Sequence, residues 1–241
     1  DVVLFAVPDR EIAPLARALA RALPLWKGRT ALHHAGALGT APLAPLARRG
    51  ARVGVLHPLL AAGSGPADFP DGARARIEGD PGARRVAARM ARDLGLVPLR
   101  LPDRGRAPDR AAYHAAASIA SNDVVALLAI ALDLLRAAGL SERSALAALA
   151  PLARGAVDRI AAEGPARALT GPVVRGDART LRAQFRRLAR LDPAALGAHL
   201  ALSERLLRLA RSAGRIDRAG REAIRRAIEE ARRGPGRGRG L

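Results

Sequence analysis

The sequence pattern changes once, near residue 101, and that change limits the folds open to the chain. Before it, short apolar runs alternate with stretches of helical period; from Asp109 onward only helical periods follow. Residues 1–7, DVVLFAV, form a nearly unbroken apolar run of strand length, as expected for a parallel strand buried on both faces. Pro8 ends it, and Asp9 is placed to cap a helix to about Leu23 with Ile12, Leu15, Leu19 and Leu23 on one face. Strands are expected at 30–33 and 52–56, separated by a Gly36/Gly39 turn and a helix near 42–49. Beyond a glycine-rich loop at 62–72 come a strand at 73–78, a helix at 81–94 and a last short strand at 97–101. Alternation of this kind marks an α/β layer with a parallel sheet.

The second half reads differently. A long helix is expected over 109–138, then four more helical segments. Their ends are signalled by Gly139 with Ser141 as a cap, by Gly164-Pro165 and Gly171-Pro172, by Asp177, and by Asp192-Pro193. The loop at 101–109 concentrates Pro, Gly and charge and is the natural joint. The expected organisation is an α/β domain at 1–104, an all-helical domain at 105–233 and a disordered basic tail at 234–241.

Composition narrows the function. No apolar run free of Arg or Pro is expected to reach bilayer length, so the reading is a soluble, cytoplasmic protein with no membrane partner. There is no cysteine, hence no disulfide framework or thiolate chemistry. A net charge of +19 would ordinarily suggest nucleic acid. However, only Lys27 among the 41 basic residues is lysine, which suggests a compositional bias toward arginine, and five aromatic residues are too few for a base-stacking platform. Nucleic acid is therefore an unlikely partner. No G-x-G-x-x-G turn follows any strand, and a chain opening directly on a central strand is expected to be incomplete at its N-terminus.

One helical stretch stands out chemically. In YHAAASIASN, residues 113–122, His114, Ser118 and Asn122 lie at i, i+4 and i+8 and form a polar line on an otherwise apolar helix. Such a line either satisfies a buried hydrogen-bond ladder or faces a ligand. His33, His34 and His57, with Val7, Pro8 and Asp9, fall near the C-terminal ends of expected strands, where open α/β sheets bind ligands. Adjacent His33 and His34 would point to opposite faces of a continuing strand, so no metal site is expected. In TGPVVRGD, Arg175 is suited to clamping a carboxylate, while Asp177 caps the next helix; an exposed arginine beside a capped helix start is the equal alternative.

Five blocks in order, DVVLFAVPDREI, HHAGALG, LHPL, YHAAASIASN and ALTGPVVRGDARTL, span nearly the whole chain. Together they resemble a group of Rossmann-like NADP oxidoreductases that carry a C-terminal all-helical domain of unknown function. These are distant relatives of pyrroline-5-carboxylate reductase, ketopantoate reductase and the 3-hydroxyacid dehydrogenases. The resemblance implies a partial Rossmann-type parallel sheet domain, with the phosphate-binding glycine turn lying upstream, and a homodimer formed through the helical domain. It also implies an NADP or NAD cofactor held near Val7, Pro8, Asp9, His33, Gly36 and His57. The implied reaction transfers hydride to a small 2-oxo acid or cyclic imine, a ketopantoate-like keto acid being preferred. His114 would be the proton donor, Asn122 and Ser118 would hold the substrate oxygen, and Tyr113, Thr170 and Arg175 would contact the substrate. The sequence departs from the group at Ala35, where Ser is usual, at Leu60, where a polar residue is usual, and at Arg110, the nearest basic residue to a position often held by Lys. Those departures keep open a non-catalytic dinucleotide-binding or regulatory protein, with a basic nucleic-acid binder third.

Overall fold

The computed structural model describes residues 1–61, 69–102 and 109–234. The loop expected at 62–72, the joint at 101–109 and the tail at 234–241 fall largely outside those residues. The chain forms two compact units, Asp1–Val125 and Ala126–Leu241.

The first unit runs β1 (Val2–Phe5), α1 (Asp9–Ala22), β2 (Thr30–His33), a 3-10 turn at Ala41–Leu43 leading into the short α2 (Ala44–Ala47), then β3 (Arg52–Leu59). It continues with β4 (Arg74–Gly79), α3 (Pro81–Asp93), β5 (Val97–Leu99) and the first half of α4 (Arg110–Ala137). The strands make one sheet in the order β1-β2-β3-β4-β5. β1, β2 and β3 are parallel, as are β4 and β5, but β4 runs antiparallel to β3. This corrects the all-parallel expectation: among the described residues no helix intervenes between β3 and β4, so the chain returns beside β3 in the opposite direction.

Strand alternation divides the core between the two faces of the sheet. Ala31 and Phe5 face α1 and α2, where Ile12, Ala16, Trp26, Leu43 and Leu46 close one layer. Leu32, Leu56, Ala75 and Ile77 face α3, which presents the small residues Ala83, Ala87 and Ala91 at successive i+4 positions. That small-residue line lets α3 approach the sheet closely. At Gly54 a Cβ would lie 2.9 Å from the Ala83 Cβ and 2.8 Å from the Glu78 carbonyl oxygen. Asp80 fastens the corner: its carboxylate accepts from the Ala83 amide at 2.8 Å as the cap of α3 and from the Val53 amide of β3 at 2.6 Å.

Three local expectations are corrected in this unit. Among the described residues β1 pairs with β2 alone, and Val2 and Leu4 stay 44% and 45% exposed instead of buried on both faces. Asp9 is the first residue of α1 and makes no cap; Pro8 takes the cap position, and the buried line is Ile12, Ala16 and Ala20, with Leu23 outside. Small alanines win that line because they allow the helix to sit against the sheet. The helix expected at 42–49 is a 3-10 turn and a single α turn, each carrying a proline in its first turn.

The second unit holds the remaining half of α4 with α5 (Glu142–Glu163), α6 (Pro165–Ala168), α7 (Ala178–Leu191), α8 (Pro193–Ser212) and α9 (Arg218–Arg233). The short α6 makes one helix more than the sequence suggests. Ser141, Asp177 and Asp192 cap α5, α7 and α8 through the amides of Ser144, Thr180 and Ala194 with Ala195. Leu181, Phe185, Leu200, Ile224 and Ile228 form the core of α7, α8 and α9.

α4 corrects the expectation about apolar runs. Between Arg110 and Arg136 only Asp123 and Asp133 carry charge, and an 18-residue window of this helix reaches a mean hydropathy of 1.8, long and apolar enough to cross a membrane by length and composition. No residue of α4 is buried.

Candidate functional site

The site lies on one face of the sheet at the C-terminal ends of β2 and β3. Antiparallel register sets His57 of β3 directly opposite Arg76 of β4. Glu78, two residues on, shares the face of Arg76. Over this face comes the first turn of α4, where Arg110, Tyr113 and His114 share one side at i, i+3 and i+4. The loop following β2, residues 34–39, fills the space between.

Arg76 is the centre of the arrangement. It is 0% exposed, and its Nη2 donates to the carbonyls of Ala35 at 3.2 Å, Gly36 at 3.3 Å and Leu38 at 2.8 Å. Its Nη1 donates to Glu78, and its guanidinium lies 5.4 Å from the centre of the Tyr113 ring. A buried guanidinium needs its charge matched and most of its protons accepted; here only the buried Nε lacks an acceptor. Glu78 supplies the charge and is itself gripped by Arg110, whose Nε donates at 3.0–3.1 Å to both carboxylate oxygens. Burial alone would raise the Glu78 pKa, but the hydrogen bonds and charges of Arg110 and Arg76 outweigh it and hold the carboxyl below its ordinary value.

Two imidazoles converge beside this network. A Cβ on Gly36 would lie 2.7 Å from His114 Nδ1 and 2.7 Å from His57 Nε2, so both nitrogens flank one point, and glycine is what lets them do so. His57 Nδ1 is 3.1 Å from the Tyr113 hydroxyl, and its ring meets those of Tyr113 and His114 edge-on at centroid distances of 5.7 and 6.5 Å. Burial, reinforced by the positive charge of Arg76 and by His114, pushes the His57 pKa down to about 4. The ring is therefore neutral at ordinary pH. Burial raises the pKa of Tyr113 against the pull of Arg76, so its hydroxyl keeps its proton. It can donate that proton to His57 Nδ1, leaving the ring's own proton on Nε2 beside Gly36. No group of three His, Asp or Glu gathers for a metal among the described residues.

The other candidates separate. His33, expected at the cofactor rim, is 0% exposed and spent within its own loop: Nδ1 accepts from the Ala35 amide at 3.1 Å, which leaves the Nε2 proton for the Gly39 carbonyl at 2.8 Å. Burial lowers its pKa, and it acts as a loop staple. His34 donates through Nδ1 to the Leu56 carbonyl at 2.6 Å, which leaves its Nε2 as an acceptor. Ser118 is half-buried, while His114 and Asn122 are exposed; Asn122 accepts from Ser121. Val7, Pro8 and Asp9 sit where β1 passes into α1, with Pro8 and Asp9 exposed. Thr170 and Arg175 belong to the second unit and are exposed, and Asp177 caps α7. Sequence reasoning missed Arg76 and Glu78. The available signal was two charges at i and i+2 in a strand, the same pattern a solvent-facing edge produces.

Two family models match the chain: a Rossmann-like domain over residues 1–58 and a domain of unknown function, DUF2520, over residues 74–206. The second match spans more than half of the sequence. The chain belongs to the DUF2520 family. Among solved structures, this DUF2520 protein resembles protein TM1727 of Thermotoga maritima, with 24% identity, a TM-score of 0.66, and coverage of 87% of this chain and 78% of that one. It also resembles the putative NADP oxidoreductase BF3122 of Bacteroides fragilis, with 21% identity, a TM-score of 0.67, and coverage of 86% and 75%. A third likeness is to the Plasmodium falciparum pyrroline carboxylate reductase with NADP bound, at 12% identity, TM-score 0.50, and coverage of 96% and 76%. At these identities the likeness is one of fold. No curated protein matches the chain. In the DUF2520 match the site's two sources are visible: the Gly36 loop and His57 come from the Rossmann-like segment, and Arg76, Glu78, Arg110, Tyr113 and His114 from the DUF2520 segment.

Proposed function

We propose that the protein is an NAD(P)-dependent reductase of a small 2-oxo acid, with His114 as proton donor. The observation that carries this reading is the convergence of His57 Nε2 and His114 Nδ1 on Gly36, at the sheet edge where Rossmann-type domains present the reacting end of a nicotinamide. The residues present fit that end of the cofactor: Pro8 and Asp9 are exposed at the rim, and His34 keeps an acceptor nitrogen there. No glycine turn for the pyrophosphate occurs in the sequence. The NADP-bound reductase and the NADP oxidoreductase among the similar folds support NADP over NAD.

When bound, the reduced cofactor supplies a hydride to the substrate's carbonyl carbon. The oxygen then needs a proton, and His114 donates it from Nδ1 while neutral His57, held by Tyr113, donates a hydrogen bond to the same oxygen. Ser118 and Asn122, one and two turns along α4, hold the remainder of the substrate. The two imidazoles favour a ketone over a cyclic imine, because a protonated imine needs hydride alone. Exposed Ile119 and Val125 on α4, with Leu152 and Val157 on α5, support a homodimer. A non-catalytic dinucleotide-binding protein is favoured by one observation: Arg110, the nearest basic residue to a position often held by lysine, is locked onto Glu78 and offers no proton.

The test is oxidation of NADPH on addition of 2-oxo acids, compared with cyclic imines, for the protein and for His114→Gln. The expected result is turnover with a 2-oxo acid that falls at least about 100-fold in the variant. Unchanged turnover in His114→Gln removes the residue from the mechanism, and cofactor binding without any turnover favours the non-catalytic reading.

A further inference from the structure

The second unit contains a concentration of positive charge that the proposed reaction does not use. α8 and α9 enclose a groove of about 330 Å3 lined by Arg208, Arg211, Arg218, Arg221 and Arg225, with Glu222 as its one carboxylate. On α9 the spacing 218, 221, 225 places three of these arginines on one helix face, beside the buried Ile224, Ala227 and Ile228. Arg218 meets Glu222 at 3.1 Å, and Arg225 meets Glu229 at 3.7 Å. Among the described residues, Arg208, Arg211 and Arg221 have no carboxylate within ion-pair distance, and the Nε of Arg221 is buried with no hydrogen-bond acceptor. Elsewhere in the same unit Arg182 pairs with Glu230 at 2.6 Å and Arg232 with Glu204 at 2.7 Å. The groove gathers five guanidinium groups around one space.

We infer that this groove binds a small polyphosphate anion. Guanidinium forks present paired donors that suit phosphoryl oxygens, and several of them around one space call for a ligand with several negative charges. The volume is at the small end of ligand pockets, enough for a chain of two or three phosphoryl groups. The same chemistry is offered by inorganic tripolyphosphate and by the phosphate chain of a nucleoside triphosphate.

The probe is inorganic tripolyphosphate, titrated calorimetrically into the full-length protein at constant ionic strength, with ATP in a second arm and a short DNA duplex in a third. The protein is compared with Arg208→Ala/Arg221→Ala and with Arg17→Ala/Arg21→Ala, which removes the same charge from exposed positions on α1. The expected result is saturable tripolyphosphate binding that weakens at least tenfold in the groove variant and less than twofold in the α1 variant. ATP that competes with tripolyphosphate supports the inference and shows that the phosphate chain is what is read. Equal weakening in both variants overturns it, because net charge alone would then explain binding. Binding of duplex without binding of tripolyphosphate overturns it in favour of a nucleic-acid surface. Circular dichroism of both variants, expected to match the parent, shows that lost binding is not lost folding.

Discussion

His57 connects the geometry of the site to a measurable stability. Its pKa is pushed down to about 4 in the folded protein, against 6.5 for an unperturbed histidine. Between those values the unfolded chain binds a proton that the folded chain refuses. Stability from this residue is therefore complete at neutral pH, declines as pH falls below about 6.5, and stops declining below about 4. From neutral pH to about pH 4.5 the loss amounts to about 2 kcal/mol. The perturbation is His57→Asn, which cannot titrate and keeps a side-chain partner for the Tyr113 hydroxyl. Trp26, the one tryptophan, is buried in the core beside α1, so its fluorescence reports unfolding of the unit that holds the site. Urea unfolding followed by that signal at both pH values gives four free energies. The parent is expected to lose about 2 kcal/mol more than His57→Asn on acidification, while titrations common to both proteins, including that of His33, cancel in the comparison. Equal losses would show that His57 ionises normally and would refute its placement between Arg76 and His114.

Three further perturbations probe the same network. Gly36→Ala puts a methyl group 2.7 Å from two imidazole nitrogens; it is expected to cost about 1–3 kcal/mol by urea unfolding and to displace the histidine ring resonances in NMR spectra. Arg76→Met strands the carbonyls of Ala35, Gly36 and Leu38, with an expected loss of about 3 kcal/mol and a rise in the His57 pKa, read by NMR titration. Asp80→Ala removes the hydrogen bonds its carboxylate accepts from the Ala83 amide of α3 and the Val53 amide of β3, and about 2 kcal/mol should disappear from the urea-unfolding free energy of the first unit.

How far the sequence discloses this structure depends on whether the deciding interactions are local. Caps are local: Ser141, Asp177 and Asp192 announce their helices because the side chain meets an amide two or three residues away. So is the polar line of α4, where i+4 spacing suffices to single out His114. The burial of α1 was harder, since Ile12, Ala16 and Ala20 outrank the leucines only once the sheet lies beneath them. The direction of β4 depends on how the chain returns after Leu59, which no residue of β4 encodes. Arg76 was illegible for a deeper reason. An arginine in a strand is ordinarily a solvent-facing residue, and its burial here requires Glu78, Arg110 and three loop carbonyls from separate parts of the chain. Its function as the centre of the site exists only in three dimensions. The pairing of His57 with His114 likewise waits on Gly36, whose missing side chain is the space they share.

The most direct test of the central claim is a fluorescence titration of NADPH and NADH into the protein expressed from its full reading frame, with and without a saturating 2-oxo acid. Saturable binding of NADPH, tighter than that of NADH and followed by cofactor oxidation when the 2-oxo acid is present, is the expected result. Binding of neither nucleotide would contradict the account at its root, because the convergent histidines would then have no hydride to complement.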